Sequence, residues 1–332
     1  MAQILRYLGL AEETKFAEPK EAEFHVDIAS ASLDTPSDSH LDFESSMGRG
    51  ARMHRPGFYS PEGDIVYAFD IGTIRWLLKW ALGGYVFTTE ENLHEMYASD
   101  DTDLPSFTAR LGKDLFEHVF AGCKIASLEI EVEDSFCQAT AELVAVKDSR
   151  DTLKQQHELI LPEDYPLAFY EVTASMNDSD ISADVKNFTL TIDNGVDAEA
   201  GRSIGSRFPR KLLATEREVT LSTTMFFENT EQIEKFWGGT SGPSDSGSEE
   251  YSLEFNFDAG NGKGMKIQLP RAIHTGIDIQ PSGRDELEQE IEAKAYMQEV
   301  TLEDGETKIT TDVYVALVDG GVDDGVDDGG EE

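Results

Sequence analysis

Two stretches of this chain carry the same succession of patterns, and any fold must accommodate both. Residues 64–84 (DIVYAFDIGTIRWLLKWALGG) and 218–239 (EVTLSTTMFFENTEQIEKFWGG) each read as a strand, a short amphipathic helix and a Gly-Gly stop. In the second stretch Val219, Leu221, Thr223, Met225 and Phe227 alternate with Thr220, Ser222, Thr224 and Phe226, the period of a half-buried strand. Asn229 with Gln232 three residues on has the spacing of a capping box. Ile233, Phe236 and Trp237 then share one helical face. In the first stretch Asp70 is the candidate cap, and Leu78, Ala81 and Leu82 repeat the i, i+3, i+4 spacing. The closing glycines can adopt the left-handed conformation that ends a helix.

The flanking elements recur in similar order. Residues 24–28 and 41–45 read as strands, with 30–40 a polar loop between them and an Arg/Gly-rich segment at 48–63. Residues 85–110 read as polar and irregular. Strands follow at 116–120 and 123–132, and 136–146 returns as their partner across Asp134-Ser135. Residues 147–166 read as a linker. The order then repeats: strands at 169–175 and 185–192, a Gly/Arg-rich loop at 193–211, the second module, a flexible loop at 239–250, and a strictly alternating strand at 251–258. Strands at 265–269 and 273–279 follow. Residues 287–295 fit a strand or a helix, and 310–318 form a last strand. Placing Leu41 and Phe43 on Phe188 and Leu190 gives an offset of 147, against 155 between the Gly-Gly pairs, so the second Gly/Arg loop is eight residues longer. The expected fold is mainly β with minor α: two tandem antiparallel sandwich or barrel domains, each with a short flanking helix. The boundaries are an N-terminal arm at 1–20, a first domain at 21–160, a second at 165–318 and a disordered acidic tail at 319–332.

The formal charge is −39, from 66 acids and 27 bases, and the tail accounts for only seven of the acids. The acidity therefore belongs to the folded surface. Such a surface opposes ordinary nucleic-acid binding, which needs Lys and Arg to displace counterions from phosphates, and it opposes anionic membranes. It suits concentrated salt, where screening over about 3 Å at 1 M removes most self-repulsion, and so points to a halophilic host. No apolar run approaches the roughly 20 residues of a membrane helix, and the N-terminus lacks a secretory pattern. Cys123 and Cys137 are expected as two core thiols without a disulfide.

No catalytic constellation emerges. The seven histidines are scattered, and no metal, phosphate-cradling or nucleophile motif is present. The tail VDDGVDDGG lacks the full spacing of a calcium loop. Neither an enzyme nor a cofactor is expected. Arginine is distributed unevenly: six of the 13 lie in two windows, Arg49, Arg52 and Arg55, then Arg202, Arg207 and Arg210. His54 and Lys211 add to them. Both windows fall between a second strand and a strand–helix module. Pairing with acids inside the chain is one reading. The preferred one is contact with an acidic surface of another copy, because Arg forks pair bidentately with carboxylates. Met53, Phe58, Tyr59, Ile204 and Phe208 would supply the apolar part of that contact.

With these elements placed, the chain resembles the tail tube proteins of long-tailed, non-contractile phages over most of residues 12–300. The resemblance is carried by EETKFAEP (12–19), the strand–loop–strand at 24–45, IRWLLKWALGG (74–84), AGCKIASLEIEVE (121–133) and REVTLSTTMFFENTEQIEKFW (217–237). It implies a virion structural protein that self-assembles into stacked rings around a lumen through which DNA is ejected. A long loop after the second strand would contact the neighbouring ring, here the two Arg-rich windows. Single-domain members close as six-fold rings, so two domains per chain imply homotrimeric rings with pseudo-six-fold symmetry. Tail terminator and tip or baseplate proteins would cap the tube, and a tape measure protein and passing DNA would occupy a lumen poor in Lys and Arg. Glu129/Glu131/Glu133 and Glu254/Asn256/Asp258 are candidate lumen or outer faces. The location implied is the virion tail, after synthesis in the host cytoplasm. The alternatives are a surface or envelope lattice protein of a halophile and a hydrolase with unmarked carboxylates.

Overall fold

The computed structural model describes residues 5–36, 40–44, 51–245, 247–281, 287–303 and 305–319. In chain order the first half contains β1 (Leu8–Glu12), β2 (Phe24–Val26), β3 (Ser30–Ala31), β4 (His40–Glu44), β5 (Ala51–Pro56), β6 (Glu62–Ala68), α1 (Ile71–Leu82), β7 (Gly83–Thr88), β8 (Leu93–Ala98), β9 (Phe107–Gly112), β10 (Glu117–Val132), β11 (Gln138–Val144) and β12 (Lys147–Asp151). The second contains β13 (Val172–Met176), β14 (Ser179–Asp180), β15 (Val185–Asp193), β16 (Glu218–Phe226), α2 (Glu231–Trp237), β17 (Tyr251–Gly260), β18 (Lys263–Asp278), β19 (Glu288–Ala295), β20 (Gln298–Thr301), β21 (Lys308–Thr311) and β22 (Tyr314–Val318). The protein is mainly β and antiparallel, as its alternating patterns require.

The pairing follows one scheme twice. In the first half, strands run β2-β1-β9-β10 on one side, and β10 continues into β11, β6 and β3. In the second, the order is β14-β13-β17-β18, then β19, β16 and β15. The two long strands β10 and β18 pass from one sheet to the other. Each has an N-terminal part flanked by two strands, β9 and β12 or β17 and β22. Each also has a bulge against its hairpin partner, between Ile125 and Ser127 and between His274 and Gly276. Although the curled strands enclose a core like a closed barrel, the pairings branch at β10 and β18 and leave edges open. Two pairs stitch the halves together: the C-terminal part of β10 with β15, and β8 with β22.

Several sequence expectations shift. The strand that pairs with β6 as β15 pairs with β16 is not 41–45 but 30–34, through Ser30↔Val66, Ala31↔Ile65 and the bridge Asp34↔Glu62. The alternation of residues 41–45 suggests that place for them, but 41–44 lie in β4, paired among the described residues only with β5 in a separate ribbon. Residues 8–12, assigned to a leader arm, form a buried strand with Leu8 and Leu10 fully enclosed. Residues 85–110 contain β7, β8 and β9, and the linker segment contains β12. Residues 287–295 resolve as a strand. The acidic tail beyond residue 319 lies outside the described residues.

Asp70 caps α1 as expected, accepting hydrogen bonds from the Gly72 and Thr73 amides at 2.9 and 3.1 Å. Gly83 ends the helix at φ 79°. Trp80 stacks on Phe107 with ring centroids 4.2 Å apart. In α2 the capping box does not form. Asn229 Oδ1 accepts from the Glu231 amide, while Gln232 turns inward and its Oε1 accepts from His274 Nε2 at 3.1 Å. One continuous apolar core runs through both halves, from Leu8 and Leu78 to Phe188, Phe255 and Leu317. Cys123 and Cys137 are free and buried within it.

Candidate interaction surfaces

The sequence windows come together inside one chain. Arg49 lies outside the described residues, and Arg52 is placed only as part of β5. The Arg202 guanidinium pairs with Glu199 and sits 4.7 Å over the Phe58 ring. Arg207 lies 5.4 Å over Tyr59 and donates from Nε to the Gly57 carbonyl at 2.9 Å. The Tyr59 amide donates back to the Arg207 carbonyl, and the Tyr59 and Phe208 rings meet edge to face. Five of the twelve site residues, Phe58, Tyr59, Arg202, Arg207 and Phe208, thus form a joint between the halves. Met53, Arg55, Ile204, Arg210 and Lys211 stay exposed. Leu41 joins them, on the ribbon that also carries Met53.

Asp148 anchors both stems of that ribbon. It accepts from Thr35 Oγ1 at 2.6 Å, Tyr59 OH at 2.5 Å and His118 Nε2 at 2.7 Å. Burial pushes its carboxyl up, but these hydrogen bonds hold it below the usual carboxylate range. Asp148 was not singled out in the sequence, because nothing in its neighbourhood distinguishes it from 65 other acids.

A second surface is the outer face of the sheet running β6-β11-β10-β15-β16-β19. Alternation puts Ile65, Leu128, Ile130, Leu190 and Leu221 inward. The same alternation leaves Asp64, Thr140, Glu142, Glu129, Glu131, Thr189, Thr191, Thr220, Ser222, Glu290 and Glu292 on the opposite face, side by side in register. Two bases stand at paired positions of these strands on that face: Lys294, tied to Glu218 at 2.5 Å, and Lys124, buried and tied to Asp103. Partial burial, then the charges of Glu133 and Glu129, raise the Glu131 carboxyl; burial, then Asp64, Asp193 and Glu62, raise Glu142. Of the sequence candidates, Glu129 and Glu131 belong to this face. Glu254, Asn256 and Asp258 lie on β17, in the other sheet of the second half.

The third surface is an edge. On β10, residues 127–132 have β11 on one side and β15 on the other. On β18, residues 276–278 have β19 on one side only. β17 stops at Tyr251↔Ala272, and Ser248 Oγ reaches the His274 carbonyl at 3.3 Å. Beyond that no strand covers this edge among the described residues. The outer edge of β3 is likewise without a strand, where β15 has β10.

No cluster of three His, Cys, Asp or Glu suited to a metal exists among the described residues. No helix among them is long and apolar enough to cross a membrane. A comparison with curated proteins returned no match. The description of one family, the phage tail tube proteins, matches residues 6–295. That span takes in both strand–helix modules, both long bent strands and the polar sheet face, and the chain therefore belongs to the phage tail tube protein family and is a structural protein of a viral tail.

Proposed function

We propose that three copies of this chain close into a ring of six similar β units, and that stacked rings form the tube of a non-contractile tail. The observation that carries this reading is the twofold recurrence of strand order together with one open edge at each end of it. β15 stands to β16 as β3 stands to β6, and β15 fills the edge of β10. A neighbour's β3 can fill the corresponding edge of β18 in the same way. Such a contact is heterologous, first half to second, and closes by rotation. Six units per ring, the number the resemblance implies, take three chains.

The acid- and threonine-rich sheet face would line the lumen. DNA passing through must not adhere, and a wall of carboxylates and hydroxyls whose lysines are already ion-paired offers little to replace its counterions. The α1 and α2 layer would then face outward, and the tail terminator, tip and tape measure proteins would meet the tube at its ends and inside it. The charge of −39 fits a virion that works in concentrated salt, and so a halophilic host. Electron microscopy and native mass spectrometry of the purified chain test the reading. Rings of three chains, with the Thr/Glu face inward, are expected. Rings of six chains, or a lumen lined mainly by Lys and Arg, would reject it.

A further inference from the structure

The two kinds of sheet joint in such a ring differ in charge. Aligning the bulges of β10 and β18 places Glu129 on Asp278. Val144 pairs with Glu62 and with Lys124, while Lys294 pairs with Thr220 and with Ile273, which places Glu62 on Thr220. Thr220 pairs with Thr191, and Glu62 with Asp34, so Asp34 takes the place of Thr191. Within the chain, the row crossing the joint reads Thr220, Thr191, Glu129, Thr140, with one acid. Between chains the corresponding row reads Glu62, Asp34, Asp278, Glu290, with four.

We infer that ring closure between chains is gated by salt, because Asp34 of one copy meets Asp278 of the next; this rests on the ring reading above. Like charges directly opposite across a pair of strands are destabilising. The repulsion has one local answer on each side. Lys113 Nζ lies 3.3 Å from Asp34 Oδ1, with His118 Nδ1 at 3.7 Å, and Gln280 Nε2 donates to Asp278 Oδ2 at 2.7 Å. Only the first of these brings a full charge, so three carboxylates are left for ions of the medium. At low ionic strength the chain stays unjoined. As the screening length shrinks from about 10 Å at 0.1 M to about 3 Å at 1 M, the repulsion fades and the backbone edges can pair. The inner face of the joint favours pairing at any salt: Ile279 would stand opposite Leu33, by the step that places Ile130 opposite Leu190. The internal joint lacks the acid row, so the fold of each chain does not share this dependence.

Salt titration of the purified full chain, followed by light scattering and electron microscopy, tests the gate. The parent is expected to form rings only above a threshold salt concentration. Asp278→Asn should lower that threshold by about two-fold or more, and Asp278→Lys should let rings form in low salt. Asp278 is exposed, and its side chain accepts a hydrogen bond from the neighbouring Gln280, so circular dichroism should show both variants folded. Glu129→Gln, in the internal joint, should leave the threshold in place. A double variant, Asp34→Cys with Asp278→Cys, should cross-link between chains under oxidation. Rings whose threshold ignores residue 278, or that form without the cross-link, would overturn the gate and leave the tube reading standing. A parent chain that forms no rings at any salt would overturn both.

Discussion

His274 illustrates how a single buried residue sets a pH limit. It is 3% exposed, and its ring lies between Tyr251 OH at 2.7 Å from Nδ1 and Gln232 Oε1 at 3.1 Å from Nε2. Gln232 Oε1 can only accept, so Nε2 carries the proton and Nδ1 accepts from the tyrosine. Burial, then the charge of Lys235, lowers the imidazole from 6.5 to about 4. Below about pH 6.5 the unfolded chain takes up a proton that the folded chain refuses until about pH 4. The contribution is complete above 6.5 and is lost as the pH falls toward 4, up to roughly 3 kcal/mol. Because Gln232 belongs to α2, protonation should loosen that helix from β18 first. His274→Gln should lose some stability at pH 7.5 but show a flatter fall in melting temperature between pH 7 and 4.5 than the parent. Equal slopes in the two proteins would place the acid sensitivity elsewhere.

At the scale of elements, local chemistry was legible and long-range pairing was not. The cap of α1, its buried face and the glycine stops could be read from residues 70–84 alone, because each depends on neighbours within one or two turns. β8 and β9 escaped notice because polar residues occupy inward positions there. Glu95 accepts from Tyr314 OH at 2.6 Å and from the Glu303 amide at 2.9 Å; Arg110 meets Glu117 at 2.5 Å, and Tyr7 OH donates to the same carboxylate at 2.9 Å. Each partner lies far off in sequence or on another strand, so alternation could not reveal the burial. The same blindness misplaced the strand beside β6. Its marker is Gly63, at φ 145°, where a Cβ would stand 2.7 Å from the backbone of Ser32 and Leu33. Gly63→Ala should push residues 32–34 off β6 at a cost of about 1–3 kcal/mol, read in denaturant titration. Because that strand supplies the proposed ring joint, the variant should also fold without forming rings. Rings of normal yield would show that 32–34 is not the joining edge.

For the whole molecule, the arginine windows divide between contacts inside the chain and exposed positions. Part of each window is spent inside the chain, where Arg202 and Arg207 lie on Phe58 and Tyr59, and Asp148 holds the stems of the β4–β5 ribbon. Changing Phe58 and Phe208 to Ser should therefore unsettle the monomer as well as any assembly. Beside the exposed Arg55, Arg210 and Lys211, three apolar side chains stay outside: Leu41 at 65% exposure, Met53 at 55% and Ile204 fully open to solvent. A ribbon with such side chains gains nothing from them within the chain, which supports a contact with the next ring in the proposed tube. Exposed ion pairs there would contribute about 0–1 kcal/mol each, less in high salt. Burying one such apolar side chain contributes roughly 1.5–3 kcal/mol, unscreened, and in the proposed ring three copies would act together. Leu41→Ser with Met53→Ser should then leave the chain folded and the rings closed but halt tube growth. Changing Arg55 and Arg210 to Gln should alter the twist between rings more than their adhesion. The measurement is tube length and helical twist by electron microscopy at a fixed high salt, where the ring joint itself is satisfied. Tubes of parental length from the Leu41/Met53 variant would mean that rings adhere through another surface, and the ribbon would have to be assigned to the tube exterior.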